Sequence, residues 1–232
     1  MKGLFITFEG TEGSGKSTQI RLLAESLKGR NRTVRVLREP GSTPIGEEIR
    51  HTLKHSQQNQ AMTPETELLL MNAARAQLVR EVIRPALAAG HLVLCDRFYD
   101  STVVYQGYGR QLDHGAVQQS ITLAVGDTRP HLTLLLSIPL AVSEARRSSR
   151  QGSLFKGLGG AATGPPRLGF REPLRDRMEE ADRGFFERVE RGYEAIAAAE
   201  PDRVRVIDAT QPVDAVQSAV WREVERLLAQ SK

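Results

Sequence analysis

Short apolar runs recur along the chain at Leu4–Phe8, Thr33–Leu37, His91–Cys95, Leu132–Ile138 and Val204–Ile207, each β-branched or leucine-rich and separated from the next by a helix-length segment. Continuous apolar runs of this length are typical of strands buried on both faces. Their alternation with helices predicts a parallel sheet with helices on either side. The helices are expected at Ser17–Leu27, Pro44–Leu53, Pro64–Ala88, Ala116–Leu123, Leu140–Ser148, Arg175–Ala199 and Val213–Ala229. Proline stands near two of the starts, in Thr63-Pro64-Glu65 and Gln211-Pro212, and Ala89-Gly90 marks a stop. The fold class is therefore α/β, three layers around a five-stranded parallel sheet.

One stretch departs from this rhythm. Gln151 to Pro173 holds Gly152, Gly157, Gly159, Gly160, Gly164, Gly169, Pro165, Pro166 and Pro173, with little apolar periodicity. A connection that long is expected to be a lid or an irregular insert. The last strand-like run lies beyond it, so the sheet continues on both sides. The expected organisation is one domain over residues 1–232, with a lid carrying a Gly/Pro-rich insert at about 151–173.

The first strand-like run leads directly into Gly10-Thr11-Glu12-Gly13-Ser14-Gly15-Lys16-Ser17-Thr18, a GxxxxGK[ST] phosphate-binding loop, and a helix-like segment follows. Glycines let such a loop curl so that backbone N–H groups converge on phosphate oxygens. Lys16 brings a positive charge to the β and γ phosphates, and the Ser17 hydroxyl can ligate Mg²⁺. A nucleotide polyphosphate is the implied ligand.

The formal charge of +4 is unevenly spread. Arg146 to Arg177 contains eight positive residues against Glu172 and Asp176, so this segment carries +6 and the remainder −2. Only Phe155 and Phe170 are aromatic there, which fits polyphosphate better than a nucleic acid that would stack its bases. The single cysteine, Cys95, excludes an intrachain disulfide framework and reads as a buried strand residue. No apolar run reaches the length of a membrane span, so the expected setting is cytoplasmic, with neither membrane nor nucleic acid as partner.

Asp96-Arg97 follows the third strand-like run, at the sheet edge where the phosphate loop also opens. Asp96 is placed to hold Mg²⁺ with Ser17. Hydrolytic switches and motors need a group that positions water at this point. Arg97 instead attracts a phosphate, which points to an anionic acceptor beside ATP.

Six segments taken together resemble the bacterial thymidylate kinases. They are Glu9–Thr18, Arg38-Glu39-Pro40-Gly41, Ala73-Ala74-Arg75, Asp96-Arg97-Phe98, Tyr105-Gln106-Gly107 and Asp176-Arg177-Met178-Glu179, in the family's order and spacing over essentially the whole chain except the insert. The resemblance implies one P-loop NTPase-type domain with a lid, acting as a homodimer, that transfers the γ-phosphoryl of ATP to dTMP with Mg²⁺. It also implies that Arg75 and Arg97 grip the dTMP phosphate and that Glu12 reads the deoxyribose 3′-hydroxyl. By the same resemblance, Arg50, Thr102 and Gln106 lie near the base, Glu39 lies near the substrate and metal region, and the Glu39–Pro40 bond is cis.

Two departures qualify the resemblance. Met71 stands where the family stacks an aromatic ring on thymine, and a polarizable thioether would have to cover the base. The lid is also longer by roughly twenty residues than a short connection would require. Gly13 occupies a loop position that carries arginine in some members, so the catalytic arginine is expected from the lid, with Arg146, Arg147 and Arg150 as candidates beside Lys16 and Arg97. Competing readings are a kinase for AMP, CMP or UMP, and a P-loop switch or regulatory ATPase without an acceptor pocket.

Overall fold

The computed structural model of the protein describes residues 3–56, 58–146 and 181–230. The insert at about 151–173, Arg147, Arg150 and the Asp176–Glu179 motif lie outside the described residues. Five strands, β1 (Leu4–Glu9), β2 (Val34–Arg38), β3 (Leu92–Asp96), β4 (Leu132–Ser137) and β5 (Val204–Asp208), form one parallel sheet in the order β2-β3-β1-β4-β5. All five strand expectations hold to within a residue or two at each end.

The continuous apolar runs arise because the central strands are covered on both faces. Leu4, Ile6 and Phe8 of β1 point to one side, where α1 (Lys16–Lys28) contributes Ile20, Leu23 and Leu27, and α8 (Val213–Gln230) contributes Val216, Val220 and Val224. Phe5 points the other way, with Val93 and Cys95 of β3. There it meets Leu78 of α3 (Pro64–Leu78) and Val117 and Ile121 of α6 (His114–Val125). Alternate residues of a strand thus feed two separate cores. The edge strands lack this double cover, and Val36 and Val206 are exposed there.

A third cluster lies beside β4 and β5. Phe185, Phe186, Val189 and Tyr193 of α7 (Arg183–Ala199) pack with Val104, Tyr105 and Leu135. This cluster places α7 beside the site.

Two helical segments differ from expectation. The expected helix Pro64–Ala88 is α3, then a π-helical turn at Val79–Ile83, then α4 (Arg84–Ala88). Pro85 explains the wide turn, since proline lacks an N–H and crowds the carbonyl four residues back, and the wider turn relieves both problems. No helix was expected between residues 98 and 110. The chain there forms α5 (Tyr99–Thr102) and a second π-helical turn, Val103–Gly109. Two valines and two glycines make this a weak helix by propensity, so packing supplies what propensity does not. A Cβ at Gly109 would stand 2.5 Å from the Phe185 ring, so only glycine allows that close approach.

Helix starts follow their capping residues. Thr63 accepts from Thr66 N, Asp113 from Ala116 N and Asp182 from Phe185 N; Thr43 does the same at α2 (Pro44–Lys54), accepting from Gly46 N. Helix α1 is different. Its cap is Gly15 at φ 93, with no side-chain hydrogen bond among the described residues, which leaves the first-turn N–H groups to an anion.

A buried ion pair ties the sheet to α5. Arg203 donates to Asp100 through Nη1 at 2.7 Å and Nη2 at 2.8 Å, and to Thr133 Oγ1 at 2.7 Å. Asp100 is 2% exposed, so Arg203→Ala would leave its charge poorly compensated in the interior. This variant should lose about 3–5 kcal/mol of unfolding free energy in a urea titration, and a loss below about 1 kcal/mol would show that the pair is not a structural strut.

Candidate active site

The phosphate loop is a left-handed turn built from its glycines: Gly10, Gly13 and Gly15 have φ of 132, 78 and 93°. A Cβ at Gly10 would lie 2.4 Å from the Leu136 carbonyl oxygen, so the loop can start this close to β4 only with glycine. Lys16 is buried and folds back over the loop, its Nζ donating to the Gly10 and Thr11 carbonyls at 3.0 Å each. Burial, together with the nearby Arg97 charge, lowers its ammonium to about 8. The ammonium still carries its charge at neutral pH, and an arriving polyphosphate would favour the charged form further. Ser17 Oγ donates to Asp96 Oδ2 at 2.9 Å, which brings together the two residues expected at the metal. No group of three or more His, Cys, Asp or Glu among the described residues could hold a metal. A hydroxyl and one carboxylate below a phosphate loop fit Mg²⁺, which takes few protein ligands and completes its shell with phosphate oxygens and water.

Arg97 has φ 69°, in the left-handed region that a non-glycine residue adopts at a cost. Four side chains hold it there. Nη2 donates to Glu12 Oε1 at 2.9 Å and Tyr105 Oη at 3.3 Å, and Nη1 to Ser101 Oγ at 3.0 Å and Tyr193 Oη at 3.2 Å. Although burial acts in the opposite direction, Arg97, Lys16 and Lys54 hold the Glu12 carboxyl well below the usual carboxylate range. Beneath this group lies Glu9, fully buried at the end of β1. It accepts from Phe98 N at 2.7 Å, Ser101 Oγ at 2.6 Å and Tyr193 Oη at 3.0 Å. Burial and the neighbouring Asp100 raise its carboxyl to about 7, against the opposing pull of Arg97 and its hydrogen bonds.

A cavity opens from Glu12 and Arg97 toward the helices. Glu39, Met71, Arg75, Thr102 and Gln106 line it, as do Pro40, Lys54, Phe98, Ser101, Tyr105 and Phe186. Seven of the eight expected substrate residues therefore share one pocket. The eighth, Arg50, does not line the pocket and donates to the carbonyl of Pro40, which does, at 3.0 Å. The Glu39–Pro40 bond is cis, as expected.

Arg75, 2% exposed, is bound on every side. It contacts Glu39 Oε2 through Nε at 2.8 Å and Nη2 at 2.7 Å, and donates to Asn72 Oδ1, Thr102 Oγ1 and the Phe98 carbonyl. As folded, it fixes the pocket wall, and a phosphate could engage it only by displacing one of these partners. Glu39 Oε1, by contrast, is buried with no hydrogen-bond partner among the described residues. An unmatched acceptor on a pocket wall calls for a donor from a ligand or water. Gln106 Nε2 donates to Glu67 Oε1 at 3.0 Å, and Arg110 also binds Glu67, so a buried pair orients the Gln106 amide.

Arg146 is the one lid candidate among the described residues. Residues 140–146 are helical, and Arg146 donates to Gly13 O at 3.0 Å and Ala209 O at 3.2 Å. Glu9, Tyr193, Lys54 and Phe186 were not anticipated at the site. Tyr193 in particular falls on the Phe185, Phe186, Val189 face of α7 and reads in sequence as one more core aromatic.

A phosphate loop, a Ser/Asp pair beneath it and a second, cation-lined pocket on a parallel sheet define a P-loop nucleotide-binding protein of the phosphotransferase type. Comparison with known proteins narrows this further. The family model described as thymidylate kinase matches residues 8–156. The chain is 44% identical over 229 residues to the thymidylate kinase of Alcanivorax borkumensis, covering 99% of each. It is 49% identical over 218 residues to that of Geobacter sulfurreducens, covering 94% of each. The crystal structure of the thymidylate kinase from Ehrlichia chaffeensis superposes with a TM-score of 0.71 at 29% identity, over 97% of this chain and 99% of that one. The chain belongs to the thymidylate kinase family.

The raised carboxyl of Glu9 makes a stability prediction. An unfolded chain releases this proton near 4.5 and the folded protein only near 7, so between these values the folded state binds more protons. Stability should fall as pH rises through that window, by on the order of 3 kcal/mol, and level off above it. Glu9→Gln should flatten this component. Urea unfolding at pH 5 and pH 8 measures it, and an identical pH dependence in both proteins would remove Glu9 as its source.

Proposed function

We propose that this protein transfers the γ-phosphoryl group of ATP to dTMP, giving dTDP and ADP for dTTP synthesis. The observation that carries this reading is the acceptor pocket joined to the phosphate loop through Glu12 and Arg97, which a switch ATPase would not need. Resting on family membership, the reading takes Gly10–Thr18 as the ATP site, Arg97 as the grip on the acceptor phosphate and Glu12 as the partner of the sugar hydroxyl. Thr102 and Gln106 face the base, Met71 covers it, and Arg50, Glu39 and Arg75 shape the wall around it.

In the transfer, an oxygen of the acceptor phosphate forms a bond to the γ phosphorus as the bond to the β–γ bridging oxygen breaks, and ADP leaves with that electron pair. The acceptor oxygen is already anionic, so no side chain has to remove a proton. Lys16 and Arg97 draw two anions together and offset their repulsion. Mg²⁺ held by Ser17 and Asp96 would neutralise charge on the phosphates. Arg146 is read as the lid cation, with Arg147 and Arg150 as companions outside the described residues.

The chain is read as one domain, cytoplasmic and homodimeric. Helices α3 and α6 pack together, and Leu69 and Leu123 on them are 61% and 80% exposed, which suits a two-fold helical interface. Among the described residues no helix is long and apolar enough to cross a membrane.

Offering ATP with each common monophosphate in turn tests the function. dTMP should be preferred, with dUMP weaker by about 1–3 kcal/mol for the missing methyl group, and comparable turnover of AMP or CMP would overturn the reading. Met71→Ala should raise the KM for dTMP and leave that for ATP nearly unchanged. Arg146→Ala should lower kcat by about 10³-fold if its guanidinium reaches the transferring phosphoryl, with little change in dTMP binding. Wild-type single-turnover transfer in that variant would move the role to Arg147 or Arg150.

A further inference from the structure

We propose that Tyr193 is a positioning residue for Arg97, forming with Ser101 a pair of hydroxyls that link the guanidinium to the buried carboxylate of Glu9. The proposal rests on Arg97 being the acceptor-phosphate ligand, as read above. Its basis is a proton count. Arg97 Nη1 carries two N–H groups and stands 3.0 Å from Ser101 Oγ and 3.2 Å from Tyr193 Oη. Each hydroxyl has one proton to give, and each lies within reach of Glu9 Oε2, at 2.6 Å for Ser101 and 3.0 Å for Tyr193. With Glu9 ionised, above its raised value of about 7, the assignment closes: both Nη1 protons go to hydroxyls and both hydroxyl protons go to Glu9, whose contacts are shorter than the 3.3 Å between the two hydroxyls. The remaining carboxylate oxygen, Oε1, takes Phe98 N at 2.7 Å.

The polarity of this chain runs one way. Tyr193 is 5% exposed, and burial together with Glu9 raises its phenol well above the ordinary value, so the hydroxyl keeps its proton. Through Tyr193, α7 reaches across the site to Arg97, 96 residues away in sequence. Arg97 also sits at φ 69°, and a residue held in that region needs its surroundings to fix it. The hydroxyl pair fixes Nη1, while Glu12 and Tyr105 fix Nη2. The acceptor phosphate then meets an oriented guanidinium and engages it by taking over an Nη2 hydrogen bond from Glu12 or Tyr105, while the hydroxyl pair keeps Nη1 in place.

Tyr193→Phe removes one hydroxyl and keeps the ring, so the α7 packing is preserved. The test measures KM for each substrate, kcat, dTMP binding by calorimetry and Tm, for Tyr193→Phe, Glu9→Gln and the double variant. Tyr193→Phe should raise the acceptor KM and the dTMP Kd about 5- to 20-fold with the ATP KM within about twofold. Adding it to Glu9→Gln should have little further effect, because both act through one chain. Should Glu9→Gln fail to fold, the dTMP Kd and KM of Tyr193→Phe decide by themselves. Unchanged dTMP Kd and KM in Tyr193→Phe, or full additivity in the double variant, would overturn the positioning role. Failure of the functional reading looks different: the wild-type protein would bind and phosphorylate another monophosphate and not dTMP, and the same comparison would then be made with that acceptor.

Discussion

The parallel pairing of β1 with β3 is the constraint on which the site depends. Its register ends with Phe8 opposite Asp96, and the Arg97 amide donating to Phe8 O at 2.9 Å is the last link before the strands separate. From there β1 runs through Glu9 into Gly10, and β3 turns at Arg97. One hydrogen-bonded register therefore sets the distance between the phosphate loop and Arg97, and, on the reading proposed above, the separation of the two phosphates that must react. The turn at Gly10 needs no compensation, because glycine adopts positive φ freely. The turn at Arg97 does, and four side chains supply it. A register shift of one residue would separate Ser17 from Asp96 and turn the buried strand faces toward the wrong layers.

Charges at this edge are compensated before any substrate is present. Lys16 rests on two carbonyls, Arg97 on Glu12 and the hydroxyls, and Arg75 on Glu39. Burying an unpaired charge costs several kcal/mol, so a site built from three interior cations needs these partners in order to fold. The partners differ in how firmly they hold. Arg75 and Glu39 are both nearly inaccessible and doubly joined, an arrangement suited to a fixed wall. Lys16 holds only neutral oxygens, two carbonyls and more distantly the Ser14 hydroxyl, which a phosphate oxygen outcompetes. Glu12 lies between these cases, charge-paired with Arg97 but less buried than Glu39.

Sequence reasoning recovered what depends on local pattern. Each strand is a short apolar run because both faces are buried, and the phosphate loop is legible because its glycines and its Lys-Ser pair do their work within eight consecutive residues. What it missed depends on tertiary packing. The π-helical turn at Val103–Gly109 has no propensity signal, since Phe185 and α7 hold it in place. Tyr193 looks like core from its spacing, and it is core on its ring and site on its hydroxyl. The commitment of Arg75 was equally hidden. A motif can mark an arginine as belonging to a pocket, but only the positions of Glu39, Asn72 and Thr102 show that its donors are already engaged.

Gly13 and Arg146 illustrate how a side chain missing from one segment can be supplied by another. Gly13 has φ 78°, and a Cβ there would approach Arg146 Cβ to 3.1 Å, so a larger residue at Gly13 would crowd Arg146 in its present position. The glycine thus leaves room for an arginine brought from outside the loop. Arg146 occupies that space and donates to two backbone carbonyls, of Gly13 and Ala209. Hydrogen bonds from a cation to neutral carbonyls are weaker than those to phosphate oxygens. A guanidinium resting on carbonyls beside the loop is therefore stored next to the anion it would prefer, and the move requires only a change of acceptor.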